Sequence, residues 1–335
     1  SGGSCHRTGR TCSICAASWW QVVTDLKSSM RVLLTGFLMG MAEVVPGVSG
    51  GTIAFISGFY ERLLAGLSGL RPELLTVFWR SGLRAAWQKS DGTFLSLLFG
   101  AMAVSILIFA TVIKGALVTY PIAMWSFFFG LVLASSVLMY RQVSHRTVEH
   151  FLVLGIGLAL GLLLQRLLPV TLESTPGAMF MGGAVAICAW ILPGISGSFL
   201  LLLLGLYSGV LAAVASLAWA QLIPFALGAG LGLIAFANVL KRLFHYVRDW
   251  ILMFLIGLML GTLVRLWPWQ QVTSYQLQAS GTEQVPLVQN PVMPGVFESL
   301  TGEPAQLSVA GLSAGFAIVL VYGFERLSQP GRTDV

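Results

Sequence analysis

Charge is scarce in this chain: Asp, Glu, Lys and Arg make up 10% of 335 residues, while 56% are apolar and mean hydropathy is +0.84. A soluble domain carries about 25% charged residues. So few charges cannot dress a water-facing surface of this size, so an ordinary soluble protein is excluded and most of the surface must face lipid. Histidine is nearly absent too. His6, His145, His150 and His245 all lie in a tail or between apolar runs, which leaves no material within the apolar segments for a His-based hydrolase or a metal site. No Walker loop is present, so no nucleotide-driven motor is implied. Of four cysteines, Cys188 lies in an apolar run; Cys5, Cys12 and Cys15 sit with His6 in a polar tail and are not read as a zinc site. The opening Ser1-Gly2-Gly3-Ser4 reads as a linker and is left out of the functional reading. The net charge of +6 is read as a topology signal rather than a nucleic-acid surface.

What the chain has is apolar runs long enough to cross a bilayer, which takes about 20 residues. Six are uninterrupted: 94–118, 120–140, 151–168, 219–240, 250–267 and 307–327. Two longer runs are broken in the middle. Residues 32–64 break at Pro46-Gly47-Val48-Ser49-Gly50-Gly51-Thr52, and residues 179–214 break at Pro193-Gly194-Ile195-Ser196-Gly197-Ser198. Proline removes a backbone donor and favours the first turn of a new helix, so each break should end one helix and start another.

The breaks lie 147 residues apart, and at that offset Gly36 meets Gly183, Ala42 meets Ala189, Pro46 meets Pro193, Ser49 meets Ser196, Gly58 meets Gly205 and Tyr60 meets Tyr207. This is an internal repeat, and paired broken segments in two halves point to a transporter's binding site. If both broken runs are re-entrant hairpins, only Lys114, Arg166 and Arg265 of the nineteen Lys and Arg fall on the outer side. If either run crossed the membrane, that asymmetry would collapse. A hairpin plus three spans crosses an odd number of times, so the second copy is inverted relative to the first. The expected fold is therefore an all-α polytopic membrane protein with two inverted repeats, each a re-entrant helical hairpin plus three transmembrane helices. Its expected parts are a tail over 1–27, a first repeat over 28–168, a second over 176–335 and an external loop over 268–306, with both termini cytoplasmic. The external loop is polar, proline-punctuated and free of Lys and Arg, a candidate lid. Between Arg71 and Lys89, Leu75, Trp79, Leu83 and Trp87 recur every four residues, as suits a helix lying on the inner leaflet.

Irregular backbone at membrane depth is tolerated only where it is buried in protein or lines a cavity. A half-helix starting after each Pro-Gly offers free N–H groups and a positive dipole end to an anion. The candidate anion ligands are Gly47, Ser49, Gly50, Gly51 and Thr52 at the first tip and Gly194, Ser196, Gly197 and Ser198 at the second. Glu43 has no basic residue within four positions. An ionised carboxylate at a helix centre in the membrane costs about 3 kcal/mol, which makes Glu43 a candidate coupling site for a proton or cation. The alternative is that it braces the tips. Lys114, Arg166 and Arg265 are the candidate cationic footholds at the outer mouth, at least one of them expected to line the anion's path.

The segment Gly36-Phe37-Leu38-Met39-Gly40-Met41-Ala42-Glu43-Val44-Val45-Pro46-Gly47-Val48-Ser49-Gly50-Gly51-Thr52, followed by Gly58-Phe59-Tyr60-Glu61-Arg62, resembles the signature of the membrane family once called domain of unknown function 368. So does Ile191-Leu192-Pro193-Gly194-Ile195-Ser196-Gly197-Ser198, followed by Gly205-Leu206-Tyr207. The resemblance runs from about Lys27 to the C-terminus. It implies return of undecaprenyl (polyprenyl) phosphate, the carrier lipid of envelope glycans, from the outer to the inner leaflet of the bacterial cytoplasmic membrane, without a cofactor, a metal or catalysis. The residues alone argue for a secondary anion transporter, which leaves another small anion open as cargo. A weaker resemblance is to the undecaprenyl-pyrophosphate phosphatases. In their place for a catalytic arginine this chain has Gly50, and Glu43 lacks a second carboxylate at Met39 or Gly47.

Overall fold

The computed structural model describes residues 13–44, 49–70, 73–167, 172–277 and 284–328, and is mostly helical. Among them, six helices are long and apolar enough to cross a membrane. These are α5 (Gly92–Thr119), α6 (Pro121–Arg141), α7 (Val148–Arg166), α11 (Trp219–Tyr246), α12 (Arg248–Thr262, continued by a 3-10 turn to Leu266) and α14 (Leu307–Ser328). They coincide closely with the uninterrupted runs of the sequence. The chain is a multi-pass membrane protein.

Both broken runs are broken in the structure. The first comprises α1 (Ser13–Glu43), α2 (Gly50–Ile56) and α3 (Tyr60–Ser68); the second comprises α8 (Pro176–Ile191), α9 (Gly197–Leu203) and α10 (Tyr207–Ala215). Helix α1 starts inside the segment read as a tail, because no glycine or proline interrupts the chain between Ser13 and Thr35. Pro46, Gly47 and the Cys5 to Cys12 part of the tail lie outside the described residues. Between α9 and α10 the axis bends by 109°. The two runs turn in the same way. Gly58 has φ of 74° and Gly205 has φ of 69°, a region open to glycine without strain. Each is followed by the same closing bond: Phe59 N–H donates to the Ala54 carbonyl, and Leu206 N–H donates to that of Leu201, both at 2.9 Å.

The packing of the spans recurs between halves. Helix α1 lies along α5 and α8 along α11, while α6 packs on α14 and α7 on α12. Exchanging the halves maps the first pair onto the second and the third onto the fourth, so α7 and α14 each close onto the other half. Glycines make these approaches possible, as expected where lipid supplies no hydrophobic drive between helices and close backbone contact must do so. A Cβ on Gly36 would strike the Leu98 carbonyl, and one on Gly183 would strike that of Phe225. Likewise Gly130 faces the Ala314 backbone as Gly257 faces the Leu154 backbone. Fully buried Leu98, Met139, Leu252, Met253 and Met259 fill the centre, while Leu107, Val118, Leu312 and Val319 project outward as a lipid-facing surface.

Two extramembrane pieces complete the chain. Helix α4 (Glu73–Lys89) packs on the start of α5 and breaks at Gly82, where φ is 81° and ψ 173°. Trp79 and Leu83 are exposed, as expected of an apolar face turned to lipid; the Leu75 side chain lies outside the described residues. The segment read as an irregular loop is more ordered than expected. It forms an antiparallel ribbon of β1 (Gln270–Leu277) and β2 (Gln284–Pro291), then α13 (Pro294–Thr301). Proline is tolerated here because in a two-stranded ribbon both strands are edges, and Pro286 and Pro291 need donate nothing outward. Trp269 Nε1 anchors the ribbon by donating to the Ala305 carbonyl at 2.8 Å, and Trp267 Nε1 donates to that of Val292 at 2.9 Å.

Adding one methyl at Gly36 or Gly183 should prise apart α1 and α5 or α8 and α11, at a cost of about 1–3 kcal/mol. Gly100→Ala, where the methyl meets nothing within 4 Å, is the control. In a thermal melt followed by intrinsic fluorescence, Gly36→Ala and Gly183→Ala should each unfold several degrees below wild type and Gly100→Ala should not. Unchanged melting of both would show that these helices do not touch as described.

Candidate functional site

A helix that ends inside a membrane leaves amides and carbonyls that lipid cannot satisfy. At the first break the first three amides of α2 are satisfied locally. Gly50 N–H, the first amide of α2, donates to Glu43 Oε1 at 2.7 Å. The next amide, of Gly51, donates to the Oγ of its own N-cap residue, Ser49, at 3.1 Å. Thr52 N–H donates to the Ser49 carbonyl at 3.0 Å. Glu43, at the end of α1, thus places its carboxylate on the amide end of α2, where the helix dipole favours an anion. The Trp190 side chain is its second hydrogen-bond partner.

The first tip also satisfies the second. Helix α8 ends at Ile191, and its last carbonyls need donors. Ser49 Oγ lies 3.3 Å from both the Trp190 and the Leu192 carbonyls and shares its one proton between them. Tyr60 Oη donates to the Ile191 carbonyl at 3.1 Å and is itself fully buried between Phe55 and Phe244. Gly51 has no room for a side chain, since a Cβ there would lie 2.8 Å from the Ile191 carbonyl oxygen. The two tips, remote in sequence, are therefore in direct contact.

The second break is less completely satisfied. Ser196 caps α9 without accepting from a helix amide, and its hydroxyl instead pairs with that of Ser198 at 2.8 Å. Among the described residues the amides of Gly197 and Ser198 find no acceptor. Beside them Gly194, with φ of 90°, Ile195, Ser196 and Phe199 line a cleft of about 10 Å³ whose far wall is Leu164, Gln165, Thr262 and Arg265. That volume holds about one water. The guanidinium of Arg265 is half-buried, lies 5.3 Å from the Phe199 ring centroid and has no carboxylate partner among the described residues.

Of the three cations expected at the outer mouth, Arg265 alone is seen at a tip among the described residues. Arg166 is exposed at the end of α7, where its neighbour Gln165 faces the cleft instead, and the Lys114 side chain lies outside the described residues. Thr52 is buried and its hydroxyl has no partner among the described residues, and Gly47 lies outside them. The bridging roles of Tyr60 and Trp190 were not read from the sequence. Tyr60 stands out in the sequence only as half of a repeated pair with Tyr207, and Trp190, 147 residues after Glu43, only as its counterpart at the repeat offset.

The halves also differ in how their short arms are packed. Helix α3 is docked on α11, where Lys241 Nζ donates to Ser68 Oγ at 3.3 Å, and Arg248 pairs with Glu61 at 3.3 Å. Its counterpart α10 makes no comparable packing against α5.

Residues 39–284 match the family described as VCA0040-like, undecaprenyl phosphate translocase-like. A polyprenyl-phosphate transporter of Vibrio cholerae serotype O1 is 45% identical over 300 residues, covering 90% of this chain and 97% of that protein. A polyprenyl-phosphate transporter of Staphylococcus aureus is 27% identical over 254 residues, covering 70% of this chain and 85% of that protein. No solved structure matches the chain. With most of its length matched by the family and by a close relative, this chain belongs to the undecaprenyl phosphate translocase-like family.

Proposed function

We propose that this chain is a secondary transporter that moves polyprenyl phosphate, undecaprenyl phosphate in the first instance, from the outer to the inner leaflet of a bacterial cytoplasmic membrane, with no catalytic step. Its two broken runs are re-entrant hairpins in two inverted repeats, and both termini face the cytoplasm. The recurrence of turn geometry and helix pairing between halves supports this arrangement, as does the one-sided charge distribution. The observation that carries the choice of anion site is Arg265: a half-buried guanidinium with no carboxylate partner among the described residues, facing Ser196 across the cleft at the open amide end of α9. A lipid phosphate entering from the outer headgroup layer meets Arg265 and the second tip first, with Gly194, Ser196, Gly197 and Ser198 as ligands. The cleft must widen to admit it, and the arm that would move, α10, is the one not packed against α5.

The first tip is already occupied by a carboxyl group of the protein's own, that of Glu43. For phosphate to reach Gly47, Ser49, Gly50, Gly51 and Thr52, Glu43 must give up the Gly50 amide, by taking a proton or a cation. That exchange is the proposed coupling step. Helix α3, docked on α11, then closes the cytoplasmic side until the exchange has occurred.

Reconstitution in liposomes with labelled short-chain polyprenyl phosphate tests the anion site. A charge-assisted hydrogen bond is worth about 1.5–3 kcal/mol, so Arg265→Ala should lower uptake from the outer leaflet by about tenfold or more, Arg265→Lys by less, and Arg166→Ala by less than about twofold. Normal uptake by Arg265→Ala would leave the tips alone holding the anion. Inorganic phosphate or another small anion moving as fast as the lipid would make the lipid incidental.

Glu43→Gln keeps the acceptor for Gly50 and loses titration. It should retain the wild-type melting temperature and abolish transport or flatten its dependence on pH. Wild-type transport across a pH series would remove the coupling role, and a loss confined to stability would make Glu43 a brace.

The hairpin arrangement places the exposed residue Ser216 outside. In a background freed of Cys5, Cys12, Cys15 and Cys188, Ser216→Cys should react with an impermeant maleimide added to whole cells. Labelling only from the cytoplasmic side would overturn the hairpin arrangement.

A further inference from the structure

The cleft beside Arg265, once widened, would take a phosphate but not the hydrocarbon attached to it. A second cavity, of about 320 Å³, borders the first tip. Its walls come from five helices, with Met41 and Ala42 of α1, Ile53 of α2, Met124 and Leu131 of α6 and Phe324 of α14 among them. Every lining side chain is hydrocarbon or thioether, so nothing in it would hold an ion or a headgroup. Its position is what gives it meaning. Ala42 directly precedes Glu43, and Ile53 lies one turn along α2 from Gly50, so the cavity starts where the polar floor of the first tip ends.

We propose that this groove is the seat of the isoprenoid chain of the transported lipid, holding the units next to the phosphate while the headgroup passes the tips. The proposal rests on the polyprenyl-phosphate reading above and extends it to chain recognition. About 150 Å³ suffices to hold a benzene ring in an apolar cavity, so a space of this size takes about two five-carbon units. Transfer of a tail from bilayer to groove gains no hydrophobic free energy, because both are apolar, and discrimination must come from shape and dispersion contact. Methionine side chains adapt to irregular apolar shapes, and two of them, Met41 and Met124, with the Phe324 ring, offer a surface for methyl branches that a straight acyl chain would leave unfilled. An acyl chain of a bulk phospholipid is the competing occupant.

A polyprenyl phosphate bearing a diazirine in its first isoprene units, photolysed with the wild-type protein in liposomes, provides the test. The label should map by mass spectrometry to α1, α2 and α6 residues of the groove. Farnesyl phosphate should suppress labelling about tenfold more effectively than dodecyl phosphate, which has the same headgroup and main-chain length. Phosphatidylglycerol should not suppress it. Leu131→Trp, which fills the groove, should erase the preference for the branched chain, and Leu131→Met should keep it. Label outside the groove, equal competition by dodecyl phosphate, or displacement by phosphatidylglycerol would each overturn the proposal, whether or not the tryptophan variant folds. If instead the wild type neither transports nor is labelled by polyprenyl phosphate, the substrate reading falls and the groove assignment falls with it. Transport with labelling elsewhere sinks the groove alone.

Discussion

Everything in this molecule hangs on how a membrane protein closes the polar ends of helices that break within an apolar run. Lipid offers α8 no donor for its last carbonyls and α2 no acceptor for its first amide, and each unpaired group there costs several kcal/mol. The protein meets the first need with Ser49 and Tyr60 and the second with Glu43. Because the donors for α8 sit in the other half of the chain, satisfying the backbone also fastens the two tips together. The contact between halves is thus a requirement of the backbone before it is a feature of any site.

That solution is applied unequally. The first tip spends its amides on its own carboxylate and hydroxyl, whereas the second leaves those of Gly197 and Ser198 open among the described residues. Among the described residues, the basic side chain seen at a tip, Arg265, stands at the open one. The same inequality appears in the arms, with α3 docked on α11 through Tyr60, Phe244 and Lys241, while α10 stands off α5. Two halves that share a backbone design have been given different chemistry, one filled from within and one presenting a cation to whatever arrives.

The spans were legible because twenty apolar residues in a row have few soluble explanations, and the breaks because Pro46 and Pro193 recur with matching glycines. Register between the halves was legible for the same reason, down to Gly58 and Gly205, which close their turns with equivalent bonds. What composition hid was every pairing that depends on three-dimensional approach. Nothing in the spacing singles out Arg265 from Arg166, since both follow an apolar run and only rotation about the helix axis turns one toward Ser196. Tyr60 looked like a repeat marker because its partner is a carbonyl, and any residue has one. The β-ribbon was obscured by its prolines, which count against a strand only where both edges must be paired.

The inequality bears on how cargo and coupling are joined under the proposed function. Two negative charges 4 Å apart repel by about 4 kcal/mol at an effective dielectric constant near 20. Ionised Glu43 on the Gly50 amide and a phosphate on the same tip are therefore close to mutually exclusive. A proton or cation at Glu43 removes the repulsion and frees the amide together, so a single event both admits the phosphate and supplies its donor. The groove beside Ala42 and Ile53 adds no charge to this balance and leaves it undisturbed. A tail seated there keeps the phosphate within reach of the tip during the exchange, so that the first tip need not bind the headgroup tightly and can release it to the inner leaflet.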